Sequence, residues 1–99
     1  MITSENFPEV LQWMGFTADS TDNGVYEKRF PAFDFTLKAD VRNRRLDFST
    51  ISGGQRNNTY DETLKENLVV FECVNRLLDK GYRPEHIVLE QTWKMGHEQ

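Results

Sequence analysis

Residues 59–93, TYDETLKENLVVFECVNRLLDKGYRPEHIVLEQTW, decide the fold, because they read as one long helix, a sharp stop and a strand. Successive helical residues lie about 100° apart, which puts Leu64, Leu68, Val70, Phe71, Val74, Leu77 and Leu78 on one broad half of the wheel. That half is the expected buried face. Lys65, Glu72, Arg76, Asp79 and Lys80 fall on the other side. There Glu72 and Arg76 stand four apart in the order that favours a helix pair, worth about 0.2–0.5 kcal/mol. Thr59 or Asp61 is placed to cap the start, with Asp61 and Glu62 suited to the positive end of the helix dipole and Lys80 to the negative end. Gly81 can take the left-handed conformation that stops the helix, and Pro84 reinforces the stop. The run Ile87 to Trp93 then has the β-branched and aromatic composition of a strand.

On the amino-terminal side of this stretch, Asn6-Phe7-Pro8-Glu9 reads as a helix start. Asn6 is placed to cap, Pro8 is tolerated in the first turn, and Glu9 can close a capping box. Phe7, Val10, Leu11 and Met14 line one face of a short helix with Trp13 at its flank, and Gly15 ends it before the apolar Phe16. Thr17 to Gly24 is polar and reads as a loop, and Val25 to Phe30 as a strand that Pro31 interrupts. From Phe33 the alternation is clear: Phe33, Phe35, Leu37, Ala39 and Val41 face one way, and Asp34, Thr36, Lys38 and Asp40 the other. Asn43-Arg44 fits a tight hairpin with Asn at positive φ, after which Leu46 and Phe48 return on the inner face.

The expected fold is therefore α+β in the order α-β-β-β-α-β, a three-stranded antiparallel meander with two helices and a carboxy-terminal strand. Residues 1–50 hold the first helix and the meander, 51–59 form a flexible Gly53-Gly54 connector, and 60–99 hold the long helix and last strand. The expected core is Phe7, Leu11, Tyr26, Phe35, Leu37, Leu46, Phe48, Leu68, Phe71, Val74 and Leu78.

Ninety-nine residues suit one domain, too small for a cleft between two lobes. Seven Phe, three Tyr and two Trp supply bulky core material. The lone Cys73 has no internal disulfide partner, and the sequence shows neither a run of about 18 apolar residues nor a signal-peptide pattern, so the expected compartment is cytoplasmic. A net charge of −4 excludes general coating of nucleic acid. Contact with DNA would be local, and Arg42, Arg44 and Arg45 at the hairpin tip are the candidate residues, beside the plainer reading of solvated turn charge.

No nucleophile elbow, phosphate loop, zinc pattern or dinucleotide fingerprint is present. His86 and His97 are isolated, and Cys73 reads as a small hydrophobe within the helix. The segment Glu72-Cys73-Val74-Asn75-Arg76-Leu77-Leu78-Asp79-Lys80-Gly81-Tyr82, however, resembles the opening helix of PD-(D/E)xK nucleases. The resemblance implies that Glu72 is a catalytic residue that helps hold Mg²⁺ in the intact enzyme. On spacing alone, Glu72 reads equally well as the surface partner of Arg76.

More widely, Glu66 to Val74, Gly81 to Glu90 and Trp93 to His97 are similar to the amino-terminal region of bacterial restriction-modification enzymes, either type I restriction subunits or single-chain endonuclease/adenine methyltransferases. The segment Asn6 to Phe16 with the meander after it resembles the same region. The next catalytic Asp and the (Asp/Glu)-x-Lys of that family would lie beyond Gln99. The resemblance thus implies an amino-terminal fragment, inactive alone, whose parent acts on DNA, with other restriction-modification subunits as candidate partners. A reading from a different class is a stand-alone protein-interaction or DNA-binding module whose terminal strand pairs with a partner's sheet edge.

Overall fold

The computed structural model describes residues 3–54, 58–61 and 66–89. Its elements in chain order are α1 (Phe7–Trp13), β1 (Thr17–Ala18), β2 (Val25–Phe30), β3 (Phe35–Asp40), β4 (Arg45–Asp47) and α2 (Glu66–Asp79), with 3₁₀ turns at Pro31–Phe33 and Pro84–His86. The class is α+β, as expected, but four strands rather than three lie between the helices, in the sheet order β1-β2-β3-β4 with every neighbouring pair antiparallel. The added strand is Thr17–Ala18, which the sequence reading placed in a loop. It pairs through Thr17↔Glu27 and Ala18↔Tyr26, and an exposed two-residue edge is too short to carry an alternation signal. Of the expected last strand, residues 87–89 are described: Val88 makes a single parallel bridge to Ser52, and the Leu89 N–H donates to the Ser52 carbonyl at 2.8 Å. The remainder, with Trp93 and His97, lies outside the described residues.

Both helices stop as their sequences require. The Phe16 N–H reaches the Leu11 carbonyl (2.9 Å) while Gly15 N–H reaches Gln12 (3.1 Å), the two bonds of a Schellman motif. In α2 the same pair runs from Tyr82 to Leu77 and from Gly81 to Leu78, both 3.0 Å, with Gly81 at φ 98. The start of α1 differs from expectation. Asn6 sits in a capping box closed by Thr3, not Glu9: Thr3 N–H donates to Asn6 Oδ1 (2.7 Å) and Asn6 N–H to Thr3 Oγ1 (3.2 Å).

Register fixes the inner face. Tyr26↔Ala39, Lys28↔Leu37 and Phe30↔Phe35 are cross-strand pairs, and Ala39↔Leu46 extends the row into β4. Phe33 and Val41 are only half-buried, because Pro31–Phe33 is a 3₁₀ turn closed by Asp34 at φ 50 and Val41 belongs to the hairpin loop. Tyr26 is likewise half-buried and packs on the core rim.

Phe71 of α2 is the node of that core. Its ring meets Phe7 (6.0 Å between centroids), Phe16 (5.5 Å) and Phe48 (5.5 Å), which ties α2 to α1, to the approach to β1 and to the end of β4. Phe7 also stands edge-on to Tyr60 at 5.3 Å. Two polar residues sit on the same side of α2: buried Asn67 donates to the Thr59 carbonyl at 2.7 Å, and buried Asn75 accepts from Lys28.

The described part of the 51–59 connector is packed, contrary to the flexible reading. Ile51 is in the core, the Leu46 N–H donates to the Asn58 carbonyl (2.7 Å), and Thr59 bridges Arg45. Gly53, at φ 85, lies so close to residue 89 that a Cβ would stand 1.9 Å from the Leu89 carbonyl oxygen. Only glycine fits there. We predict that Phe71→Ala lowers unfolding free energy by about 3–5 kcal/mol in urea titration, the range for emptying a fully buried aromatic site. A loss under about 1 kcal/mol would show that Phe71 is not the node.

Candidate functional site

The residues singled out by sequence fall on separate surfaces. Glu72 stands mid-way along α2, its Oε2 2.6 Å from Arg76 Nη2, with side chains 33% and 63% exposed. This is the i,i+4 pair that the spacing offers. Cys73 beside it faces solvent and is a free thiol, not a packed hydrophobe, and His86 is exposed in the second 3₁₀ turn. Among the described residues no three His, Cys, Asp or Glu side chains converge to hold a metal. A hard cation such as Mg²⁺ needs several oxygen ligands, so the described residues around Glu72 do not fit that ion.

The hairpin tip is built by Asp40. Its Oδ1 accepts the N–H groups of Arg42 and Asn43, both at 3.1 Å, and its Oδ2 accepts the Asn43 side-chain amide at 2.8 Å. The loop spans residues 41–44 between the pair Asp40↔Arg45, and the residue at positive φ is Arg44 (φ 56), not Asn43. Asn43 is instead spent on Asp40. Arg42, Arg44 and Arg45 are all exposed, and the Arg42 guanidinium lies 3.9 Å from Asp22.

Behind the tip, on the outer face of the sheet, a pocket of about 360 Å³ is lined by Asp19, Asp22, Asp40 and Asp47 together with Lys38 and Arg45. Three of these carboxylates shape turns. Asp19 accepts the Thr21 N–H and hydroxyl (both 2.8 Å), Asp47 accepts the Ser49 N–H (2.8 Å), and Asp40 holds the hairpin. Hydrogen bonding, from Thr21 to Asp19 and from Asn43 to Asp40, holds both carboxyls below the usual range. They stay charged, and the arginine tip is offset by fixed negative charge close by. That arrangement weakens attraction for a phosphate backbone.

The third surface is α1. Phe7 and Leu11 face the core, whereas Trp13, one residue before the helix cap, is 92% exposed. It shares a shallow groove with Asn6, Glu9, Val10 and Gln12. Trp13 falls outside the stripe of Phe7, Leu11 and Met14 on the wheel, and that offset is the sequence signal for its exposure. Among the described residues no helix is long and apolar enough to cross a membrane. Compared with protein-family models, with curated proteins and with solved structures, the chain matches none.

The Asp40 arrangement predicts a pH dependence. A carboxyl whose folded value is depressed adds stability above its unfolded value, about 3.9, and that contribution is lost as pH falls through the folded value. Asp40→Ala is expected to destabilise the chain near pH ~7, and the gap to the parent should narrow as pH falls below the unfolded value and through the depressed folded one, read from urea midpoints. A gap that persists unchanged in acid would contradict the role of the charge.

Proposed function

We propose that this chain is a non-enzymatic interaction module that engages a protein partner through the outer face of α1. The observation that supports it is the exposure of Trp13. A tryptophan carries about 150–250 Å² of surface to bury, and at about 25 cal/mol per Å² its removal from water is worth several kcal/mol that the isolated fold leaves unrealised. Tryptophan also dominates the small set of residues that carry most binding energy in protein interfaces. Its stem sits on a helix pinned by Phe7 and Leu11, so the ring is presented on a rigid support.

The reading separates stability from binding at one position. Trp13→Ala should change unfolding free energy by no more than about 0.5 kcal/mol, as for other exposed sites. A partner recovered with the parent chain should bind the variant weaker by at least ~2 kcal/mol, measured by calorimetry. Equal affinity for both chains would refute the proposal.

A second reading, an amino-terminal segment of a restriction-modification enzyme that acts on DNA, is supported by the order α2, Gly81 stop and extended Ile87–Leu89 segment, which is the order that the sequence resemblance requires. In that reading Arg42, Arg44 and Arg45 contact the DNA backbone. It is favoured over the first if the purified chain binds duplex DNA near physiological salt and loses that binding in an Arg44→Ala, Arg45→Ala variant.

A further inference from the structure

We infer that the α1 face docks a basic segment of its partner, with a Lys or Arg side chain over the Trp13 indole and its charge directed to Glu9. The inference rests on the interaction-module reading and specifies the chemistry of the occupant. Glu9 and Trp13 are four residues apart, on one side of α1, and line the same groove with Val10 between them. Glu9 is exposed and, among the described residues, has no ion-pair partner. A carboxylate next to an open indole face is the pairing that suits a cationic side chain: the ring quadrupole attracts the cation, tryptophan most strongly, and the carboxylate completes its charge.

The helix itself carries the same sign. Residues 4–14 contain Glu5 and Glu9 and no Lys, Arg or His side chain. Lys28, the first basic side chain in the sequence, is unavailable to neutralise that face, since its ammonium is bound by the Met14 carbonyl (2.7 Å), Asn75 Oδ1 (2.9 Å) and Asp79 (2.9 Å). An approaching polyanion is therefore repelled by this part of the molecule, and a basic segment is steered towards it. Val10 offers an apolar contact in the groove, and the Gln12 side chain, at its edge, can bond a peptide backbone.

The test uses the full chain and two synthetic peptides of equal length, each with one leucine anchor, one rich in Lys and Arg and the other with Glu in their place. Calorimetry should show saturable binding of the basic peptide, at least ~10-fold tighter than the acidic one and weakened by salt. Trp13→Ala should abolish it and Glu9→Gln weaken it several-fold, whereas Asp47→Asn on the outer sheet face should leave it unchanged. If both peptides bind equally and both depend on Trp13, the basic occupant is wrong while the interaction-module reading stands. Basic-peptide binding that survives Trp13→Ala overturns both. Binding reduced by Asp47→Asn but not by Glu9→Gln means adventitious attraction to the outer face and also overturns the inference.

Discussion

A lysine ammonium on the inner face of a sheet must find acceptors, and in this protein that requirement sets how the two helices dock. Lys28 pairs with Leu37 between the inward Tyr26 and Phe30, and its side chain is only 15% exposed. An unpartnered charge there would be strongly unfavourable. Its three acceptors come from three places: the carbonyl at the carboxy-terminal end of α1, Asn75 in the middle of α2 and Asp79 in its last turn. The ammonium also lies 5.0 Å from the Phe30 ring centroid. Both helices thus bring their negative ends to one cation, and the apolar contacts of Phe71 fill the space beneath. The exposed Asp79 contact contributes little by itself, but withdrawing Lys28 would also strip partners from the Met14 carbonyl and the buried Asn75, which is costly at about 1–3 kcal/mol per unsatisfied group.

How far this was legible in the sequence follows from the length and regularity of each signal. The stripe of Leu68, Phe71, Val74 and Leu78 in α2 and the Phe35-Leu37-Ala39 alternation in β3 are long and periodic, and both are buried as read. The stops at Gly15 and Gly81 were equally plain. What escaped were polar residues facing inward. A pattern that scores Lys28, Asn67 and Asn75 as surface has no means of knowing that a helix end or a backbone carbonyl across the fold awaits each of them. The same blindness made 51–59 look like a linker, because Gly53 and Gly54, which read as flexibility, are there for close backbone approach to Leu89 and Phe48. At the hairpin, Asn43 was the natural residue for positive φ, but the Asp40 carboxylate claims its side chain and Arg44 takes the strained position.

The candidate sites show the same division. The Glu72–Arg76 pair is visible from spacing alone, and the fold leaves it on the surface. The arginine tip is visible too, whereas the carboxylates that offset it come together only through the β1–β2 loop and β4. Trp13 was read at the flank of its helix; only the docked position of α1 turns that flank fully to solvent. Because Lys28 binds the Met14 carbonyl, the residue next to Trp13, the clamp that completes the fold also fixes the platform from which the proposed binding face is presented.

Amide hydrogen exchange in a Lys28→Met variant tests this account most directly, since methionine keeps the apolar stem and removes the ammonium. If Lys28 docks the helices, the amides of α1 and the last turn of α2 lose protection by at least ~10-fold while those in the β2–β3 ladder lose far less, a local release of the helix ends from an intact sheet. Protection of α1 equal to that in the parent chain would contradict it, and would show that the apolar core around Phe71 holds the helices without the ammonium.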